Sequence, residues 1–202
     1  MYGLPQATIV KKRQLPKSKI FEAFDLKPSQ RESFDNDISR IDVVAVISPA
    51  TIPAIAKSEN ILGIYVLAVQ LKRKDYDAKN IALLSRLIPQ KMVIALHFEE
   101  QVQFAISHTK LITSKWQFLT PNSSFLILQG LTLDSVWDNI VISIGDIQVE
   151  QGKSVAEQIS ADNQRAKILA QIAVLERKMA IEKQPRRKRE YFEQIKKMKN
   201  IQ

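Results

Sequence analysis

Apolar residues in the middle of this chain come in runs and alternations whose spacing separates strands from helices. Residues 61–72 hold the near-continuous run Leu-Gly-Ile-Tyr-Val-Leu-Ala-Val, which predicts a central strand covered on both faces. Residues 41–47 are rich in β-branched side chains and end at Ser48-Pro49, a strand closed by a proline-containing loop. Leu83, Leu84, Leu87 and Ile88 form a helical stripe over residues 79–88, stopped by Pro89, and residues 92–98 read as the next strand. Strand, helix and strand in that order predict a crossover that sets the two strands parallel. After Glu99-Glu100, an expected hairpin turn, Val102, Phe104 and Ile106 alternate with Gln103, Ala105 and Ser107 as in a half-exposed antiparallel strand.

The flanks follow the same logic. Residues 1–16 carry Pro5 and Pro16 and little periodicity, which predicts an extended arm. A short helix is expected over 17–24 and a second from Pro28, a favourable first helical residue, to Ile38. Residues 116–119 and 125–128 are expected to add edge strands. Val136, Ile140 and Ile144 are spaced four apart, an amphipathic helix for the sheet to pack against. Beyond Gly145 and Gly152, Ile168, Ile172, Leu175 and Met179 recur at spacings of four, three and four, and Tyr191, Ile195 and Met198 repeat that rhythm after Pro185. This is the seam of a coiled coil, predicting a helix over 154–183, about 45 Å long at 1.5 Å per residue, and a second folded back on it. Its tip is expected to project. The fold class is therefore α/β: a mixed parallel and antiparallel sheet with flanking helices in residues 1–150, and a coiled-coil-like antiparallel helical hairpin in 151–202.

Charge changes the picture at the C-terminus. Residues 153–202 hold 13 of the 30 Lys and Arg but 6 of the 21 Asp and Glu, so they carry +7 of the +9 net charge. The corner between the two helices carries Lys183, Arg186, Arg187, Lys188 and Arg189. Such a cluster suits phosphates or an acidic protein surface, and equally serves as a solvated helix end. No base-reading motif accompanies it, so DNA contact through it is expected to be independent of sequence.

Candidate chemistry is sparse. Gln70 and Lys72 are two apart at the end of the central strand and so share a face, the spacing used in metal-dependent nucleases of the PD-(D/E)xK type. There an acidic residue or glutamine helps hold a divalent ion and the lysine steadies charge on phosphate. Asp42 is the nearby carboxylate for such an ion, with Glu32 as a helper. The plainer alternative is a polar strand end, Lys72, Arg73 and Lys74, leading to a helix capped by Asp75 or Asp77. The five glycines never cluster into a phosphate-cradling loop. His97 and His108 are not spaced as a metal pair, and they are expected on a strand or hairpin. Trp116, Trp137 and Tyr65 are expected as sheet-packing aromatics. No cysteine is present, which excludes disulfides and thiolate chemistry and accords with a reducing compartment. No apolar stretch approaches the ~20 residues of a membrane span, and the opening residues lack a secretory signal. These point to the cytoplasm, with no metal or other cofactor outside the nuclease alternative.

Several stretches carry a family resemblance: Gly3-Leu4-Pro5, the run Gln70-Leu71-Lys72-Arg73-Lys74-Asp75-Tyr76, the segment Asn80-Ile81-Ala82-Leu83-Leu84-Ser85-Arg86-Leu87-Ile88-Pro89, Leu131-Thr132-Leu133-Asp134-Ser135-Val136-Trp137, and Lys183-Gln184-Pro185-Arg186-Arg187-Lys188. Over essentially its whole length the chain resembles a bacterial and archaeal family catalogued as a domain of unknown function, number 4391. The resemblance implies a setting beside helicases and DNA methyltransferases in restriction or phage-defence clusters. It also implies relatives with glutamate in place of Gln70. The resulting expectation is a non-catalytic accessory protein that docks on a helicase or methyltransferase and reaches DNA or a partner through its basic hairpin. Two alternatives stand beside it: a divergent nuclease of the PD-(D/E)xK type, and a protein-only scaffold.

Overall fold

A computed structural model describes residues 1–120 and 123–199, with Lys12 described by its backbone only. The last three residues of the expected hairpin lie outside the described residues. The chain divides into two compact units, Met1–Gln148 and Val149–Gln202.

The first unit is built on a seven-stranded mixed sheet. Its strands are β1 (Ile9–Gln14), β2 (Ile38–Ile47), β3 (Ile64–Leu71), β4 (Lys91–Phe98), β5 (Gln101–Ser107), β6 (Leu111–Thr113) and β7 (Gln117–Phe118). They lie in the order β1-β2-β3-β4-β5-β6, with β7 also paired to β5. The crossover puts β3 and β4 parallel, as the apolar runs predict, while the other pairings are antiparallel. The connection is the helix α3 (Ala78–Leu84), capped by the Asp77 side chain accepting from the Lys79 amide.

One face of the sheet, carrying Ile41, Leu67, Val69, Leu71, Ile94, Leu96 and Ala105, closes against Ile20 of α1 (Lys17–Ala23), Phe34 of α2 (Pro28–Asp37) and Ile81 and Leu84 of α3. Against the other face lies α4 (Leu133–Gly145), which meets β5 and β6. Its N-terminus is a reciprocal box, Thr132 and Ser135 each accepting from the other's backbone amide. The Leu131–Trp137 stretch is thus a helix start. Tyr2 packs on that same face edge-on to Phe104 and hydrogen-bonds His97. Burial pushes the Tyr2 phenol up in pKa. Gly3, at φ +85°, makes the turn behind it, where any Cβ would collide with Ser124.

Three expectations change. The arm contains a short 3-10 turn at Gln6–Thr8 and the edge strand β1, whose polar sequence Ile-Val-Lys-Lys-Arg-Gln hides its strand character. Residues 125–128 form no strand, because the Phe125 and Leu126 amides both donate to the Tyr2 carbonyl. The third helix ends at Leu84 instead of 88: the Arg86 and Leu87 amides turn back three residues, to the Leu83 and Leu84 carbonyls.

What joins the helices to the sheet is a buried charge. Asp37, at 0% exposure, ends α2. One carboxylate oxygen accepts from Arg73, 2.6 Å from Nη2, and the other accepts from the Asp77 amide at 2.8 Å and Asn80 Nδ2 at 2.7 Å. Its carbonyl takes the Lys72 amide at 2.8 Å.

The second unit is a pair of helices. α5 (Val155–Ile181) starts at a Ser154/Glu157 capping box, and α6 (Pro185–Lys199) returns along it. Ile172 and Ile195 are the buried residues of the predicted seam, and Lys199 pairs with Glu176 at 3.2 Å. Among the described residues no helix is long and apolar enough to cross a membrane.

Replacing Asp37 by Ala leaves Asn80 Nδ2 and the Asp77 amide without their buried acceptor while the half-exposed Arg73 turns to water, so the expected loss is about 1–3 kcal/mol, read as a lower urea midpoint. A change under about 0.5 kcal/mol, the size typical of surface substitutions, would show that water replaces the carboxylate at no cost. A second prediction concerns His108, whose pKa is lowered by burial and then by Lys91, against an opposing pull from Asp138. A lowered folded pKa stabilises the fold above the ordinary imidazole value of about 6.5 and is lost as pH falls through the folded value. The urea midpoint is expected to drop between about pH 7.5 and 5.5, less steeply in a His108→Gln variant.

Candidate functional site

Strand register brings Asp42 and Gln70 together. Arg40 lies opposite Gln70 and Asp42 opposite Ala68 across the β2–β3 pair, while Gln70 lies beside His97 on β4. Asp42 is thus a diagonal neighbour of Gln70, roughly 7–8 Å away, on the face opposite the α1–α3 layer. Lys72, one residue past the end of β3, is exposed. Glu32 does not join them. It sits exposed on α2, whose Phe34 packs into the other face of the sheet.

The arrangement is set up for a fixed ion pair. Arg40 donates through Nε to one Asp42 oxygen at 2.7 Å and through Nη2 to the other at 3.0 Å, the two-pronged geometry that suits a guanidinium. The hydrogen bond and charge of Asp42 push the Arg40 pKa up. Both carboxylate oxygens therefore already face a cation. Gln70 Nε2 reaches the His97 carbonyl at 3.4 Å. Among the described residues no three His, Asp or Glu side chains form a group able to hold a metal ion.

The rest of the Gln70–Tyr76 run is spent on positioning. Arg73 holds Asp37, Lys74 donates to Gln101 at 2.7 Å and lies over the Trp116 ring, and the Tyr76 hydroxyl donates to Gln103 at 2.7 Å. Asn80 joins them on Asp37. Sequence reasoning missed Asp37; the signal available was its place at the junction of the predicted helix and strand, where a charge is out of character unless paired.

The basic corner is the second candidate. The chain reverses at Glu182, whose side chain accepts from the Lys183 and Gln184 amides at 2.9 and 3.0 Å just ahead of α6. Arg186, Arg187, Lys188 and Arg189 then occupy the beginning of α6, with no acidic residue in the first turn. All are exposed, as is Lys183. Arg186 lies 3.5 Å from Glu190, and among the described residues Lys183, Arg187, Lys188 and Arg189 make no ion pair. Cations at the positive end of a helix dipole oppose the local field.

Because Arg40 covers Asp42, added Mn²⁺ is expected to leave the Gln70 side-chain amide resonance unbroadened in the unaltered protein and to broaden it in Arg40→Gln. Broadening before the substitution would show that the ion displaces the guanidinium.

No curated protein and no solved structure matches this chain. The chain belongs to the family described as domain of unknown function DUF4391, whose model matches residues 2–201.

Proposed function

We propose that this protein is a non-catalytic accessory component of a DNA-acting restriction or phage-defence system. In this reading it docks on a helicase or methyltransferase partner and holds DNA through Lys183, Arg186, Arg187, Lys188 and Arg189. One observation supports it above others: four cations stand at the start of α6 without an acidic residue in the first turn. Nothing in the stability of that helix calls for them, since the dipole there favours anions. Glu190 forms an exposed pair with Arg186, an interaction of small value in water. A polyphosphate backbone reverses the sign of the local energy, because its charge suits both the side chains and the helix end. Phosphate contacts of this kind position a protein without reading bases.

Replacing the four α6 cations by glutamine (R186Q/R187Q/K188Q/R189Q) tests the reading by anisotropy of a labelled DNA duplex over a range of salt concentrations. Affinity is expected to fall, and the slope of log K against log salt to lose roughly 3 to 4, about 0.9 for each phosphate contact removed. Helix content and thermal midpoint should hold or rise, since the substitutions relieve repulsion at the helix start. Equal affinity and equal slope in both proteins would reject the hairpin as the DNA-binding element. An unaltered protein with no affinity for the duplex even at low salt would leave the protein-only scaffold in its place.

A further inference from the structure

The helix layer over the first sheet face leaves a hollow beside the edge strand. It has a volume of about 540 Å³ and is lined by β1, the start of α1, and the sheet residues Val43, Val46 and Tyr65, with Ile88 closing one side. That volume falls within the range of small-molecule sites, roughly 300–1,000 Å³, which are mostly apolar with a few placed polar groups. Val43, Tyr65 and Ile88 pack against the buried core, so the floor is held from beneath. The register of β1 on β2 is interrupted between Ile9 and Arg13, an irregularity that re-aims strand side chains.

The charge lining the cavity is of one sign only. Lys11, Arg13 and Lys19 line it, no acidic residue does, and all three are exposed. Among the described residues none of the three makes an ion pair, and the Tyr65 hydroxyl makes no hydrogen bond. An apolar floor with cations at its entrance is complementary to a molecule with a hydrocarbon body and an anionic head. A nucleotide fits less well, because its base edges would lie unpaired against Val43, Val46 and Ile88.

We infer that this cavity binds an apolar carboxylate, its hydrocarbon body on Tyr65, Val43, Val46 and Ile88 and its carboxylate held by Lys11, Arg13 and Lys19. All of the lining residues belong to the sheet-based unit.

Calorimetric titration of the full chain with decanoate, decanol and acetate separates body from head. Decanoate is expected to bind saturably at one site, decanol about tenfold or more weaker, and acetate without measurable heat, since each charge-assisted hydrogen bond contributes about a factor of ten. The surface variant K11Q/R13Q/K19Q should lower decanoate affinity by at least about tenfold and leave decanol unchanged. Val46→Phe, which fills the floor, should weaken both, with circular dichroism confirming that it folds. Equal affinity for the acid and the alcohol, undiminished decanoate binding in the rim variant, or no saturable binding by the unaltered protein would each overturn the assignment.

Discussion

A single buried carboxylate ties three parts of this fold together. Asp37 lies where α2 ends, and its partners come from the end of β3 and the start of α3. Taking a carboxylate out of water costs several kcal/mol unless its lone pairs are filled. Here they are filled from three directions, and the Arg73 side chain keeps part of its guanidinium in solvent at 56% exposure. The charge thus sets the position of the strand end relative to both helices, and the hydrophobic faces close around that fixed point. Hydrophobic packing is tolerant of small displacements, whereas a set of charge-assisted bonds at 2.6–2.8 Å is not.

This changes what the polar end of β3 means. The run from Gln70 to Tyr76 has the look of a catalytic strand end, with glutamine and lysine on one face. In three dimensions Arg73 fastens the end of α2, Lys74 and Tyr76 both fasten β5, and Asp42, the expected metal ligand, is gripped at both oxygens by Arg40. The polar residues that read as machinery are largely fasteners. Four further cations stand elsewhere, on α6, where they begin a helix against its own dipole.

The strong periodic signals were legible. The parallel pair β3 and β4, the following antiparallel β5, the amphipathic α4 and the two C-terminal helices all stand where apolar spacing puts them. The elements that escaped are short or polar. β1 carries Lys11, Lys12 and Arg13 because it is an edge, and edges are protected by charge. β6 has three residues, too few for any alternation to register. Residues 125–128 are all apolar, yet the amides of Phe125 and Leu126 are taken by Tyr2, more than a hundred positions away.

By itself, then, the sequence determined the secondary elements with long apolar repeats, a mixed sheet with helices followed by a C-terminal helical pair, and the concentration of positive charge in that pair. These are local properties, set by side-chain periodicity and by counting charges. Tertiary structure decided which charges are neutralised: Asp37 meets Arg73 and Asn80 across 36 and 43 positions, Asp42 meets Arg40, and Arg187, Lys188 and Arg189 meet no carboxylate among the described residues. Coulombic pairing depends on distance in space, and a linear chain does not carry that distance until its strands have found their register.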